Sequence, residues 1–194
     1  MQELESFLEL LRMLAMDTRS IVLLALLAVA AVIDYRSYRI PNWLTFSGAA
    51  FGLVYSTLNP GVSGHGFLWS LAGLGFGFII TLPMYVLRVM GAGDVKLMAM
   101  AGTYLGLEAT FFAVLCTFIA GGIAALGFAA VHRVLRRMLT NIRDIARLTA
   151  MSIAGGVSPN LQVHASQSIG RLPYGVSIAI GTSGFVLARH FGYL

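Results

Sequence analysis

Residues 67–87 read FLWSLAGLGFGFIITLPMYVL and contain no charged side chain. At about 1.5 Å per residue, a helix of this length extends roughly 32 Å. The hydrocarbon core of a bilayer is about 30 Å thick, so this segment can cross a membrane as one helix. The uncharged region is wider still, because no Asp, Glu, Lys or Arg occurs between Arg39 and Arg88. The chain is therefore expected to fold in a bilayer.

The composition of the whole chain agrees with this expectation. Of its 194 residues, 58% are hydrophobic and 11% are charged, whereas a soluble domain carries about 25% charged residues. The mean hydropathy is +0.82. These values exclude an ordinary soluble domain, and they exclude a disordered chain, which is polar and highly charged. The single cysteine, Cys116, excludes a disulfide scaffold and a CxxC zinc site.

Turn-forming residues and charges divide the apolar sequence into helices. Residues 59–66, NPGVSGHG, break the long uncharged region in two. The same reasoning along the chain predicts an all-α, polytopic membrane protein with about six transmembrane helices. The predicted spans are Ser20–Ile33, Asn42–Leu58, Phe67–Leu87, Val95–Leu107, Ala109–Val131 and Tyr174–Ala188. The fourth covers only about 20 Å, so neighbouring helices must shield it or it must continue past Glu108.

Two segments outside the spans are amphipathic. Residues 1–17 place Leu and Phe at helical spacing among Glu side chains, which predicts a helix on the membrane surface. Residues 132–171 predict a basic cytoplasmic connection, in which Arg133–Arg147 lies against an anionic leaflet and a Gly- and Ser-rich linker follows. We interpret residues 1–194 as a single membrane-embedded domain.

The net charge of +5 is interpreted as membrane topology. If the first span ends in the cytoplasm, ten of the thirteen Lys and Arg side chains lie in cytoplasmic segments, as the positive-inside rule requires. The sequence lacks the interleaved aromatic and basic residues of a nucleic-acid surface, so no nucleic-acid partner is expected. The lipid partner expected on this side is the anionic cytoplasmic leaflet.

Two of the four Asp residues, Asp34 and Asp94, lie at the edges of apolar spans. A carboxylate there is unfavourable, so both are candidates for function. Two crossings separate them, which returns the chain to the same leaflet and puts both at the cytoplasmic edge. If the first and fourth spans pack together, the two acids can face each other.

Paired carboxylates suit peptide hydrolysis. At hydrogen-bonding distance they do not both ionise readily, so one retains a proton and the other loses it. The ionised partner can take a proton from water while the protonated partner polarises the scissile carbonyl. This chemistry requires no metal and no cofactor, and none is expected.

The residues around Asp94 also suit an active site. Gly91 and Gly93 lack Cβ atoms, so another backbone can approach the acid and the chain can turn into the fourth span. Lys96 places a positive charge close to Asp94. Pro41 is suited to the start of the second helix, where its missing N–H is harmless.

Two motifs resemble those of a known family. The stretch Asp34–Asn42, DYRSYRIPN, is similar to an early motif with an Asp followed by polar residues and Ile/Leu-Pro. Gly91–Lys96, GAGDVK, is similar to a GxGD-x-K motif, and Leu172–Gly175, LPYG, to a Pro-aromatic-Gly element before the last helix. In order and spacing they resemble the type 4 prepilin leader peptidases, the GxGD aspartic proteases of the bacterial cytoplasmic membrane.

The resemblance implies a catalytic pair and a substrate. Asp34 and Asp94 would be the catalytic residues, with Gly91, Gly93, Lys96, Pro41 and Asn42 as supporting residues. Pro173, Tyr174 and Gly175 form a candidate substrate groove. The substrate would be a prepilin or pseudopilin whose basic leader is removed at the cytoplasmic face of the inner membrane. Longer members carry paired CxxC motifs and also N-methylate, so the resemblance is to the short, peptidase-only branch that serves Flp-type pili.

Two other interpretations stay open. Asp34 and Asp94 could be relay carboxylates of a small transporter or proton-relay subunit, or the chain could be a catalytically silent scaffold of a pilus system. Either Asp could also serve only as a helix cap. The oligomeric state is not predicted.

Overall fold

The structure, a computed structural model, describes residues 18–59, 66–87, 89–131 and 174–192, and its regular secondary structure in these ranges is all helical. This confirms the all-α prediction for these ranges. The predicted surface helix at residues 1–17 and the basic connection at 132–171 lie outside them. The helices are α1 (Thr18–Ser37), α2 (Asn42–Leu58), α3 (Phe67–Val86), α4 (Ala92–Val131) and α5 (Tyr174–His190).

Among the described residues, three helical segments are long and apolar enough to cross a membrane: Thr18–Ser37, Phe67–Val86 and Ala92–Gly127. Helices α2 and α5 have 17 residues each. At about 1.5 Å per residue each covers roughly 26 Å, slightly less than the hydrocarbon core. Transmembrane helices are therefore supported, and the number of six crossings stays a prediction.

Helix α4 contains both the fourth and the fifth predicted span. Its backbone leaves helical geometry at Gly106, where φ is 73° and ψ is 179°. This conformation is essentially restricted to glycine, and the ring of Trp69 occupies the space that a Cβ would fill. The break predicted near Glu108 therefore occurs at Gly106.

The first part of α4 is the most buried helix segment that the structure describes. Its side chains from Val95 to Leu105 include many that are almost fully buried: Val95, Leu97, Met98, Met100, Ala101 and Thr103. Of the two alternatives stated for this short span, its burial supports shielding by neighbouring helices.

Small residues allow α3 to pack closely on α4. A Cβ on Gly73 would overlap the carbonyl oxygen of Gly102, and one on Gly77 would lie 2.7 Å from the carbonyl oxygen of Met98. One turn before Gly73, the Ser70 hydroxyl donates a 2.6 Å hydrogen bond to the carbonyl oxygen of Thr103. Close backbone approach and hydroxyl hydrogen bonds are typical of helices packed in membranes, where burial of apolar surface provides little attraction between helices.

Helix α2 packs on the same part of α4. Its Gly48 lies against the side chain of Met100, and its Gly52 lies against Thr103 and Tyr104. The Tyr104 hydroxyl donates a 2.7 Å hydrogen bond to the carbonyl oxygen of Gly48. Helices α2 and α3 thus both pack on α4, which fixes the position of Asp94 at its start.

The chain divides into two compact units, Met1–Gly121 with Pro173–Leu194, and Gly122–Leu172. The first contains Asp34, Asp94 and all the packing described above, including the contact between α1 and α5. Of the second, the structure describes the C-terminal end of α4. The single domain expected over residues 1–194 stays a prediction.

Candidate functional site

Asp34 lies in the last turn of α1, which continues to Ser37 rather than ending at the aspartate. Its side chain is only 5% exposed. The backbone N–H of Gly175 donates a 2.8 Å hydrogen bond to its Oδ2 atom, and the amide of Val176 also interacts with this carboxylate. Both amides belong to the first turn of α5, so the carboxylate lies at the positive end of that helix.

Gly175 makes this arrangement possible because it has no side chain. A Cβ at this position would lie 2.8 Å from Oδ2 of Asp34 and 3.0 Å from its Cβ and Cγ atoms. Contacts this short do not occur between real side chains, so a larger residue would displace the carboxylate. Gly175 was predicted as groove lining, and the structure gives it direct contact with Asp34.

Asp94 is the third residue of α4 and is 8% exposed. Its Oδ2 atom accepts a 2.9 Å hydrogen bond from the backbone N–H of Gly91. In return, the amides of Asp94 and Val95 donate to the carbonyl oxygen of Gly91, at 3.1 and 3.4 Å. The bond from the Gly91 amide to the Asp94 side chain is one half of a capping box, in which the third helical side chain bonds back to the N-cap amide. Gly91 has no side chain to form the other half.

The fold brings the two aspartates to the same end of the helices. They are sixty positions apart in sequence, yet Asp34 lies close enough to Asp94 for the two carboxyl groups to interact electrostatically. Tyr174, at the start of α5, also interacts with Asp94. Of the candidate groove residues, Tyr174 therefore interacts with Asp94 and Gly175 binds Asp34, whereas Pro173 lies outside the described residues.

The two motif glycines have different surroundings. A Cβ on Gly93 would lie 3.1 Å from Cβ and 3.5 Å from the backbone nitrogen of Ile40. The backbone that approaches Gly93 is thus the chain's own, in the linker after α1. Gly91 has more space, since its nearest neighbour is Oδ2 of Asp94, at 3.4 Å from a built Cβ. Left-handed φ angles occur among the described glycines at Gly106 and Gly192, so neither motif glycine requires one.

Pro41, Asn42 and Lys96 connect the starts of two helices. Pro41 is the N-cap of α2, with φ −70° and ψ 141°, as predicted for a residue that starts this helix. The Lys96 ammonium donates a 2.9 Å hydrogen bond to Oδ1 of Asn42 and lies 5.5 Å above the ring of Phe46. The partner observed for Lys96 is therefore Asn42 on α2.

Two residues of this region were not singled out from the sequence. Ile40 contacts Gly93, and Phe46 contacts Lys96. Ile40 belongs to the motif that contains Pro41, so its position next to a motif could have indicated it. Phe46 lies one turn after Asn42 on α2, and only the spacing along that helix could have pointed to it.

These contacts allow two chemical interpretations. Each aspartate accepts a bond from an amide at a helix start, which is what a simple cap requires. Two buried carboxyl groups that interact with each other are also what acid–base hydrolysis requires. In the described ranges, no three His, Cys, Asp or Glu side chains lie together as metal ligands would. The expectation that no metal or cofactor takes part stays a prediction.

Comparison with known proteins identifies the family. The model of the type IV leader peptidase family matches residues 21–126, more than half of the chain. The chain belongs to the type IV leader peptidase family. Membership implies a protease, and together with the apolar helices it indicates a membrane protein. No curated protein and no solved structure matches the chain. The family match includes Asp34 and Asp94 and ends before α5, so it does not extend to Gly175.

Proposed function

We propose that this family member is an aspartic endopeptidase that removes the cytoplasmic leader from a type 4 prepilin or pseudopilin. Asp34 and Asp94 are its catalytic pair, and the site opens at the cytoplasmic face of the bacterial inner membrane. The chain crosses that membrane about six times, and its basic segments contact the anionic inner leaflet.

The observation that carries the proposal is that two buried carboxyl groups, Asp34 and Asp94, lie at the same end of the helices and interact electrostatically. Burial of a single carboxylate is unfavourable, and burial of two beside each other is more so. Helix capping alone does not require the two acids to be neighbours, because each could cap its helix anywhere in the fold. Hydrolysis by a pair of carboxyl groups does require it.

In the proposed hydrolysis, Asp34 and Asp94 share one proton. The ionised carboxylate accepts a proton from a water molecule, and the oxygen of that water bonds to the scissile carbonyl carbon. The protonated carboxyl donates its proton to the carbonyl oxygen. The resulting tetrahedral diol then collapses, the C–N bond breaks, and a proton passes to the leaving amine. The amides of Gly175 and Gly91 hold one oxygen of each acid, which fixes both side chains for these transfers.

Gly91 supports access of the peptide to Asp94. It is exposed and has no neighbour closer than Asp94 itself. An extended peptide can therefore approach Asp94 on this side, with Tyr174 beside it at the start of α5. The bond from Lys96 to Asn42 links the starts of α4 and α2, so we assign both residues a positioning role.

Asn substitutions separate catalysis from capping. An Asn side chain still accepts a hydrogen bond from an amide at a helix start, so the cap remains. It cannot exchange the proton that hydrolysis requires. In cells that express a Flp-type prepilin, Asp34→Asn and Asp94→Asn should each reduce leader removal by at least about a hundredfold, measured as the mass loss of the pilin. Thermal unfolding of each purified variant should change little.

The matched control is Glu108→Gln, which neutralises a carboxylate at the opposite end of the helices and should leave leader removal unchanged. Leader removal that persists in either Asn variant would contradict the catalytic pair. Proton flux into liposomes that depends on Asp34 and Asp94 would favour the transporter interpretation instead.

The narrower assignment to the Flp-type, peptidase-only branch rests on the cysteine content. This sequence has a single cysteine, Cys116, and therefore no paired CxxC motifs. We expect leader removal without methyl transfer. The mass of the new pilin N-terminus tests this, because an added methyl group would contradict the assignment.

A further inference from the structure

A cavity of about 310 Å³ lies at the end of the helices opposite the two aspartates. Leu105, Phe112 and Phe185 form an apolar wall, the indole of Trp69 forms another side, and Glu108 and Arg189 supply opposite charges. Small-molecule sites begin at about 300 Å³. The space is therefore large enough for a compact polar group with a short apolar part.

The helix directions show that this cavity is far from the catalytic pair. Asp34 lies in the last turn of α1, whereas Arg19 lies in its first turn. The Arg19 guanidinium donates a 3.2 Å hydrogen bond to Ser56 Oγ near the end of α2 and lies 4.5 Å above the Trp69 ring near the start of α3. Arg189 lies in the last turn of α5, the helix whose first turn binds Asp34.

This end of the helices has the features of a membrane interface. Arg19, Glu108 and Arg189 lie at this end of the apolar helices, and tryptophan, the residue type of Trp69, is enriched at the lipid headgroup level. Helix α4 leaves helical geometry at Gly106, two residues before Glu108. A ligand in this cavity would therefore meet phospholipid headgroups before it met bulk water.

The charges restrict the ligand further. Arg189 can bind a phosphate through its guanidinium group. Glu108 would repel a purely anionic headgroup but can accept hydrogen bonds from a primary ammonium. The apolar wall can take the first part of an acyl chain. We propose that the cavity binds one phospholipid whose headgroup carries both a phosphate and a primary ammonium, such as a phosphatidylethanolamine, at the membrane face opposite the catalytic pair.

Tryptophan fluorescence provides a direct test, because the chain has two tryptophans, Trp43 and Trp69. Trp43→Phe leaves Trp69 as the single reporter, at the cavity itself. The full chain is reconstituted in phosphatidylcholine bilayers that contain equal minor fractions of acyl-brominated phosphatidylethanolamine or acyl-brominated phosphatidylglycerol. Phosphatidylethanolamine should quench Trp69 more strongly, with an apparent affinity about two- to fivefold higher, as expected for one added partly exposed charge pair.

Two further substitutions in this background assign the preference to named side chains. Glu108→Gln should remove the excess quenching by phosphatidylethanolamine, whereas Arg189→Gln should weaken quenching by both lipids. Leader removal should be unchanged in both variants, which also shows that they fold. Equal quenching by the two lipids, stronger quenching by phosphatidylglycerol, or a preference that survives Glu108→Gln would overturn the proposal.

Discussion

Asp34 and Asp94 are both buried carboxylates that accept a bond from a backbone amide, but the amides come from very different distances along the chain. The partner of Asp94 is Gly91, three residues earlier. The partner of Asp34 is Gly175, 141 residues later. Half of the candidate site is therefore built by one short motif, and the other half exists only when α5 packs against α1.

The family match includes the locally built half of the site and leaves out part of the other half. It covers residues 21–126 and so includes both aspartates and the local bonds between Gly91 and Asp94. It ends before α5, which supplies the amide that holds Asp34. One of the contacts that hold Asp34 therefore comes from outside the part of the chain that identifies the family.

Among the tests of the contact between α5 and Asp34, the largest effect is expected from Gly175→Ala. The new Cβ would lie within 3.0 Å of three Asp34 side-chain atoms, so the carboxylate or α5 must shift. Overpacking of this kind costs about 1–3 kcal/mol, and we expect leader removal to fall at least about tenfold. Thermal unfolding measures the loss of stability, and the mass of the pilin measures leader removal.

The matched control for that change is Gly184→Ala in the same helix. A Cβ there meets nothing within 4 Å, so stability should be unchanged or slightly higher, since Ala favours helix more than Gly. If both variants behaved alike, contact with Asp34 would not be the reason that position 175 is glycine.

The second test compares the two aspartates as caps. Asp34→Ala removes the acceptor for a buried amide of α5, at a cost of about 1–3 kcal/mol. Asp94→Ala removes one bond of a capping box, typically worth about 1 kcal/mol. Each Ala variant should be compared with the Asn variant at the same position, since Asn keeps the acceptor but not the charge. The Ala–Asn difference in unfolding free energy should be larger at position 34, and a larger difference at 94 would contradict this ranking.

The two motif glycines offer a smaller and more selective test. Gly93→Ala brings a Cβ to 3.1 Å from Cβ of Ile40, so it should lower stability by about 1 kcal/mol. Gly91→Ala meets no atom closer than 3.4 Å and should change stability by less than about 0.5 kcal/mol. If peptide approaches Asp94 beside Gly91, however, this second variant should still slow leader removal. Unchanged cleavage in Gly91→Ala would place the peptide elsewhere.

The smallest effect is expected at the link between α2 and α4. Lys96→Met, Asn42→Ala and the double variant form a cycle that isolates the 2.9 Å bond between these side chains. Because the pair is exposed, its coupling should not exceed about 1 kcal/mol. Cleavage should fall by a similar factor in both single variants and little further in the double variant. Additive losses would show that the two residues act separately.

Much of the fold could be predicted from local sequence. Helix α2 has the predicted bounds, Asn42–Leu58, and α3 differs from the predicted span by one residue at its end. Pro41 and the turn formers at 59–66 mark these limits because they cannot continue a helix favourably. The division between the fourth and fifth predicted spans, expected next to Glu108, is observed as the break in α4 at Gly106.

Part of the site could also be predicted from the sequence. Counting crossings put Asp34 and Asp94 on one side, and the structure brings them together. The bond from Gly175 to Asp34 and the bond from Lys96 to Asn42 could not be predicted, because no spacing along the chain indicates which face of one helix meets another.

Some features depend only on neighbouring residues: the apolar runs, the residues that end them, and the bond between Gly91 and Asp94 in the GxGD motif. They follow from the hydrophobicity and backbone geometry of each short segment. The packing of α5 on α1, the left-handed turn of Gly106 under Trp69 and the burial of the two acids depend on contacts between segments far apart in sequence. They depend on close approach at glycines: backbone against backbone at Gly73 and Gly102, and the Asp34 side chain against Gly175. Such contacts form only when the helices are assembled, so they are features of the tertiary structure alone.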